Sequence, residues 1–257
     1  MINRTRNNFF LIFVILVLNI TCTSTKLRSP VTYELISKIE MFNASDKNIY
    51  MLKDTVKIIY YNDLTILNIP YTNQASILEI DEDGELYDHS LTTTIQYKLF
   101  IYQNQKRYGL LYDSLGDNTP EKLSVDSILV NWTFKNFDFY DENSDSLISI
   151  EKEVDNGLLK KYIPKQKPDL SYPDSTYLFF SRRFERLKFS FSKKLDSISK
   201  LKLFKVKMIY NPLLDEKNVI TVPKREYLFK VKKAEVSNSR LIVDFIKENE
   251  KTLKTVD

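Results

Sequence analysis

Apolar and polar positions alternate with a period of two along much of this chain. In Val31–Met41, Val31, Tyr33, Leu35, Ile39 and Met41 point one way, and Thr32, Glu34, Lys38 and Glu40 point the other. That period predicts a strand with one face on a core and one in water. "TVKIIYY" and "LTILNI" flank Asn62-Asp63 and predict a hairpin; "TTIQYKLFIY" and "RYGLLYD" flank Gln103–Lys106 and predict another. "SLISIEKEV" and "LLKKYI" flank Asp155-Asn156-Gly157, where Asn-Gly accepts positive φ. "STYLFFS", "LFKVKMIY" and "REYLFKVKKAE" supply three more strands. Around Phe100, aromatic and aliphatic residues occupy both faces, with Tyr97, Leu99 and Ile101 on one side and Phe100 and Tyr102 on the other. Both faces of that sheet should therefore be partly covered.

Helical periodicity is scarcer. Ser124 can cap a short helix through Trp132, with Ile128 and Leu129 inward. Near the C-terminus, Leu241, Val243 and Phe245 alternate as in a strand. Ile242, Phe245, Ile246, Asn249 and Leu253 fit a helix with one polar slot, and we assign helix. The Pro-containing stretch Ile163–Ser175 reads as a long loop. The fold class expected is α+β and β-rich: a curved antiparallel sheet, or an open barrel-like one, with one or two short helices including the C-terminal one.

The N-terminus carries a different pattern. Arg4 and Arg6 precede an unbroken apolar run from Phe9 to Leu18. A transmembrane helix needs about 20 apolar residues. A basic start, a short apolar run and a polar end instead make a secretory signal peptide. The single cysteine, Cys22, lies where cleavage falls, and "LNITC" resembles a bacterial lipobox. That resemblance implies acylation of Cys22 and anchorage in a membrane through an N-terminal lipid. The pattern departs from the usual one: Asn19 and Thr21 hold the places of Leu and of a small residue, and Leu18 is one step early. Ordinary cleavage near Ser24 or Thr25, giving a secreted soluble protein, is the alternative. The division expected is 1–21 signal peptide, 22–30 tether and 31–257 one β-rich domain.

Charge changes the picture little. The net +4 falls to +2 once Arg4 and Arg6 leave with the leader, and acids and bases are interspersed. The densest basic stretch singled out, Lys193–Lys207, alternates lysine with apolar residues and reads as the solvent face of a strand. A nucleic-acid partner is not expected. Four glycines, none clustered, exclude a P-loop and a dinucleotide fingerprint. One histidine, His89, excludes HExxH zinc sites, and one cysteine excludes an intrachain disulfide.

Chemistry-bearing motifs are weak. Asp88, His89 and Ser90 are adjacent, which places neighbouring side chains apart, and they read as a surface loop. Asp141, Asn143 and Asp145 take calcium-loop positions 1, 3 and 5, but Ser146 and Lys152 replace the glycine and the glutamate. No carboxylate pair stands out for sugar hydrolysis. No catalytic residue, metal ligand or cofactor is assigned. One short motif recurs: Asp, then Ser or Thr, then an aliphatic residue or Thr, six times, at Thr55, Ser114, Ser127, Ser146, Ser175 and Ser197. It is similar to the acceptor motif for O-linked glycans on exported proteins of Bacteroidetes. With the lipobox-like leader, the chain thus resembles a Bacteroidetes-type envelope lipoprotein. Turn chemistry explains the same Asp-Ser pairs without glycan. The resemblance implies an exported lipoprotein of the outer membrane, or facing the periplasm. Its expected role is non-catalytic binding of an envelope protein, a glycan or a lipid. Two alternatives stay open: a carboxylate-based hydrolase of envelope or extracellular polymers, and a periplasmic lipid carrier with an open barrel.

Overall fold

The computed structural model describes residues 29–80, 86–134, 139–141, 143–153, 156–167, 169, 171–217, 219–235 and 239–254; between 73 and 92 only the backbone is described. In chain order the first strands are β1 (Val31–Asn43), β2 (Asn48–Tyr61), β3 (Leu64–Ile80), β4 (Leu86–Gln103), β5 (Tyr108–Tyr112) and β6 (Glu121–Ser124), followed by helix α1 (Val125–Thr133). Then come β7 (Asp145–Glu153), β8 (Gly157–Pro164), β9 (Ser175–Ser181), helix α2 (Lys193–Ser199) and β10 (Lys202–Tyr210). The chain ends with β11 (Leu213–Leu214), β12 (Ile220–Val222), β13 (Arg225–Ala234), α3 (Ser239–Glu248) and α4 (Glu250–Lys254).

Eleven strands form one antiparallel sheet in the order β6-β5-β4-β3-β2-β1-β13-β10-β9-β8-β7, and β11 and β12 make a small separate ribbon. The large sheet is open, with β6 and β7 at its edges, as the curved-sheet expectation requires. It consists of two meanders. β1 to β6 grow outward one way, and β7 to β10 grow inward from the other edge. β13 joins them, pairing with β1 from Thr32↔Ala234 to Ile39↔Tyr227 and with β10 from Lys205↔Lys230 to Tyr210↔Arg225. Hairpin turns fall where the sequence placed them. Asn62, Gln105 and Asn156 take φ of 55°, 72° and 55°. Asn tolerates this left-handed region because its short polar side chain bonds locally.

The two-residue period places one apolar set on each face. Leu35, Ile58, Phe100, Leu178, Phe180, Val206 and Phe229 belong to one core; Ile59, Ile66, Leu99, Ile101, Leu110 and Tyr112 belong to a second on the opposite face. Helices α3 and α4 cover the second core with Ile242, Phe245, Ile246 and Leu253, and Phe245 meets Tyr112 edge-on at 5.0 Å. The first core is covered by two connections. One runs from edge β6 to edge β7, and its α1 (Ile128, Leu129), Phe134, Phe139 and Tyr140 pack on this face. Phe134 and Phe139 lie 4.6 and 5.4 Å from Phe229, at the centre of the sheet. The other runs from β9 to α2 and contributes Leu187, Phe189 and Phe191. The first face is thus filled with side chains.

α1 is capped by Ser124, which accepts from the Ser127 N–H, and α3–α4 is helical as assigned. Helices are more numerous than expected, four among the described residues instead of one or two. One of the additional helices corrects the reading of Lys193–Lys207 as a strand face. Its first half is α2, capped by Ser192 accepting from Leu195 N–H, with Leu195 buried. Only from Lys202 does the stretch become the strand β10. The cap and the inward leucine outweigh the alternation of lysines. Asp88–Ser90 is also not a loop: it lies in β4, where Ser90 faces Ile77 and Asp88 faces Leu78, leaving His89 as the extra residue of a bulge.

Two features hold the strands closely. A Cβ on Gly109 of β5 would lie 2.6 Å from Phe100 Cζ and 2.8 Å from the Ile101 carbonyl oxygen. Gly109→Ala should therefore lower stability by about 1–3 kcal/mol, because backbone blocks the added atom; urea denaturation of the purified protein measures it. Asp196 of α2 pairs with Lys202 at 2.9 Å, accepts from Ser190 Oγ at 2.6 Å and from Leu203 N–H at 2.7 Å, and is mostly shielded from water. Asp196→Ala should cost about 2–4 kcal/mol by the same measurement, since it strands Lys202 and two donors.

Candidate functional site

With its centre filled, the first face leaves space at one end, where the N-terminal end of β1, the C-terminal ends of β2, β4 and β13, and the β9–α2 connection converge. Side chains there follow from strand parity. Tyr33 and Lys233 are cross-strand partners, as are Val31 and Tyr60. Tyr33, Tyr60 and Val231 belong to the first core, so Lys233, two positions beyond Val231, shares their face at the rim. In the connection, Leu187, Phe189 and Phe191 turn inward every second residue and leave Arg186 and Lys188 exposed. A short 3-10 turn, Arg182–Phe184, precedes it, anchored where Phe184 stacks on Phe204 at 4.8 Å.

The result is a mouth of about 790 Å³, lined by Ser29, Val31, Tyr33, Tyr60, Asn62, Arg183, Arg186, Lys188 and Lys233. Two further depressions continue it. One of about 550 Å³ shares Tyr60 and Lys188 and adds Tyr102, Lys193 and Ser190. Another of about 470 Å³ shares Tyr33, Arg183 and Lys233 and brings Glu153. Glu153 is the only carboxylate among the described residues lining the three.

The tyrosines fix this chemistry. The Phe189 N–H donates to Tyr60 Oη at 2.9 Å, tying the connection to β2. The Lys188 ammonium lies 5.4 Å from the centre of the Tyr60 ring, within cation–π range. Tyr33 meets Tyr60 edge-on at 6.0 Å. Burial pushes the Tyr60 phenol well above its ordinary value, and the Phe189 N–H opposes this only in part. Burial raises Tyr33 as well, against the nearby Arg186 charge, and it raises Tyr102 against a hydrogen bond with Thr65. These phenols are therefore protonated donors at neutral pH. The mouth offers cations, phenol donors and aromatic faces, which is the chemistry of holding an anionic or hydroxylated ligand.

Residues singled out in the sequence lie elsewhere. Cys22 is outside the described residues, as is the His89 side chain. Ser114, Ser127 and Ser197 are exposed; Thr55, Ser146 and Ser175 are half-buried in β2, β7 and β9. Their aspartates do structural work: Asp113 pairs with Lys98 at 2.6 Å, and Asp174 accepts from Asn211 N–H at 2.7 Å and Lys167 Nζ at 3.1 Å. In the calcium-like stretch, Asp141 accepts from Asn143 N–H and Ser144 Oγ, while buried Asp145 accepts from Asp141 N–H and Tyr172 Oη. These bonds occupy oxygens a cation would need. Among the described residues no three His, Cys, Asp or Glu side chains converge as metal ligands.

The mouth itself was missed in the sequence. Its signal is "RRFERLK", Arg182–Lys188, four basic residues in seven, passed over for the longer Lys193–Lys207 stretch. No known protein-family profile matches the chain, and no curated protein matches it either.

Tyr60→Phe removes the acceptor of the Phe189 N–H and leaves that buried group unpaired. It should destabilise the protein by about 1–3 kcal/mol, read as a lower denaturation midpoint with an unchanged slope.

Proposed function

We propose that this protein is a lipid-anchored cell-envelope binding protein, tethered through Cys22, whose binding site is the cationic, tyrosine-lined mouth. One observation carries the reading: Ser29, seven residues after Cys22, lines the mouth. The tether therefore enters the domain beside its binding site. Seven residue steps separate Cys22 from Ser29, a reach of at most about 25 Å. An acylated Cys22 keeps the mouth close to the surface of the anchoring membrane, where envelope ligands are concentrated.

The lining favours recognition over the alternative chemistries. Polymer hydrolysis by two carboxylates needs two acids flanking one cleft, and among the described residues lining the mouth and the two depressions beside it Glu153 is the only acid. A lipid carrier needs an empty apolar interior; here Phe134, Phe139, Phe189 and Phe191 occupy the first face. O-glycans on the Asp-Ser motif fit best at the exposed Ser114, Ser127 and Ser197.

Mass spectrometry of the protein from membranes of its native host should find a diacylglyceryl-modified Cys22 as the N-terminus. Cys22→Ser should move the protein out of the membrane fraction. A retained leader on a cytosolic molecule, or a mature N-terminus beyond Cys22, would overturn the tether.

A further inference from the structure

We infer that the mouth recognises a phosphate group, and that this phosphate belongs to an anionic lipid headgroup of the anchoring membrane. The inference rests on the proposal that the mouth is the binding site, and it names the ligand class. Arg183, Arg186, Lys188 and Lys233 surround one depression of about 790 Å³ whose described lining contains no carboxylate. Among the described residues, no Asp or Glu lies within ion-pair distance of Arg186, Lys188 or Lys233. Other lysines do pair with acids, as Lys98 with Asp113, Lys202 with Asp196 and Lys207 with Glu226. What distinguishes the mouth is convergence: Arg186, Lys188 and Lys233 gather around one depression with no described carboxylate in its lining, so their charge is open to an anion from outside.

Two further groups point the same way. Tyr33 and Tyr60 are 5% and 9% exposed, line the depression, and their O–H protons have no acceptor among the described residues. The hydroxyl oxygen of Tyr60 is engaged by the Phe189 N–H, and its proton remains free. Two phenol donors beside a set of guanidinium and ammonium groups match a tetrahedral group with several acceptor oxygens and more than one negative charge. A lone carboxylate would engage only part of this set. Placement supplies the source: a tether of seven residue steps holds these cations at the membrane surface, where each near the surface strengthens anionic-lipid binding by about fivefold.

The test uses the full mature protein in neutral detergent and isothermal titration calorimetry. The probes are dihexanoyl phosphatidic acid, dihexanoyl phosphatidylcholine, inorganic phosphate and the neutral oligosaccharide chitohexaose. Saturable binding of the phosphatidic acid is expected, with no binding of the choline lipid and roughly tenfold weaker binding of inorganic phosphate. Arg186→Glu and Lys188→Glu, both on exposed residues, should each weaken phosphatidic acid by about fivefold or more. Tyr33→Phe should weaken it with no change of charge. Lys122→Glu, on the distant β6, should leave it unchanged. Inorganic phosphate binding as tightly as the lipid would overturn the headgroup as the source. Absence of phosphatidic acid binding, or indifference to Lys188→Glu, would overturn phosphate recognition altogether. If chitohexaose alone binds, and Lys188→Glu abolishes that, the phosphate inference fails while the binding mouth stands. If no probe responds to any mouth variant, both fall.

Discussion

The pairing of β1 with β13 is the constraint on which this structure depends. Without it there are two meanders, each with a bare edge where the other should lie. With it, Leu35 and Val231 become cross-strand partners, both are at most 2% exposed, and one core spans the joined sheet. Backbone hydrogen bonds there are shielded on the first face by packed core residues, so opening the seam would expose apolar surface and unpaired polar groups together. Everything that sits on the first face, from Phe139 against Phe229 to Tyr33 beside Lys233, presumes this seam.

A filled face moves function to the rim. Open, curved sheets commonly hold ligands in their concavity, but here two connections take that place. The edge-to-edge connection carries α1 and its aromatics over the centre. The β9–α2 connection then lies over one end, with its apolar residues below and its charges above. The inward phenylalanines and the outward cations are one alternating pattern, so packing and recognition at this end are set by the same few residues. Tyr60 shows this directly, since it belongs to the core, receives the Phe189 N–H and sits under the Lys188 ammonium.

Much of the architecture was legible because period-two patterns and turn residues are local. Asn62 and Asn156 mark hairpins by their tolerance for positive φ, and Ser124 marks α1 by its capping oxygen. The two-sided aromatic character around Phe100 correctly called for cover on both faces. What failed was also local, but ambiguous. In Lys193–Lys207 the lysine alternation spans a helix–strand boundary, and only Ser192 and Leu195 betray it. The mouth was illegible for a different reason. Its parts lie at Tyr33, Tyr60, Arg186 and Lys233, and only the β1–β13 and β1–β2 registers bring them together. Nothing in "RRFERLK" alone says that its charges gather over two tyrosines from the other half of the chain.

The same long-range seam has a cost in time. Thr32 and Ala234 are partners about 200 residues apart. A chain emerging from its N-terminus makes β1 first and the strand that completes it among the last. Until then β1 has an unsatisfied side, as does the meander built on it. Non-local pairing of this kind is slow, and an unfinished sheet edge invites the wrong neighbour. Newly made molecules of this protein thus pass through a vulnerable interval that ends only when the final strand arrives, and a holding chaperone would matter most in that interval.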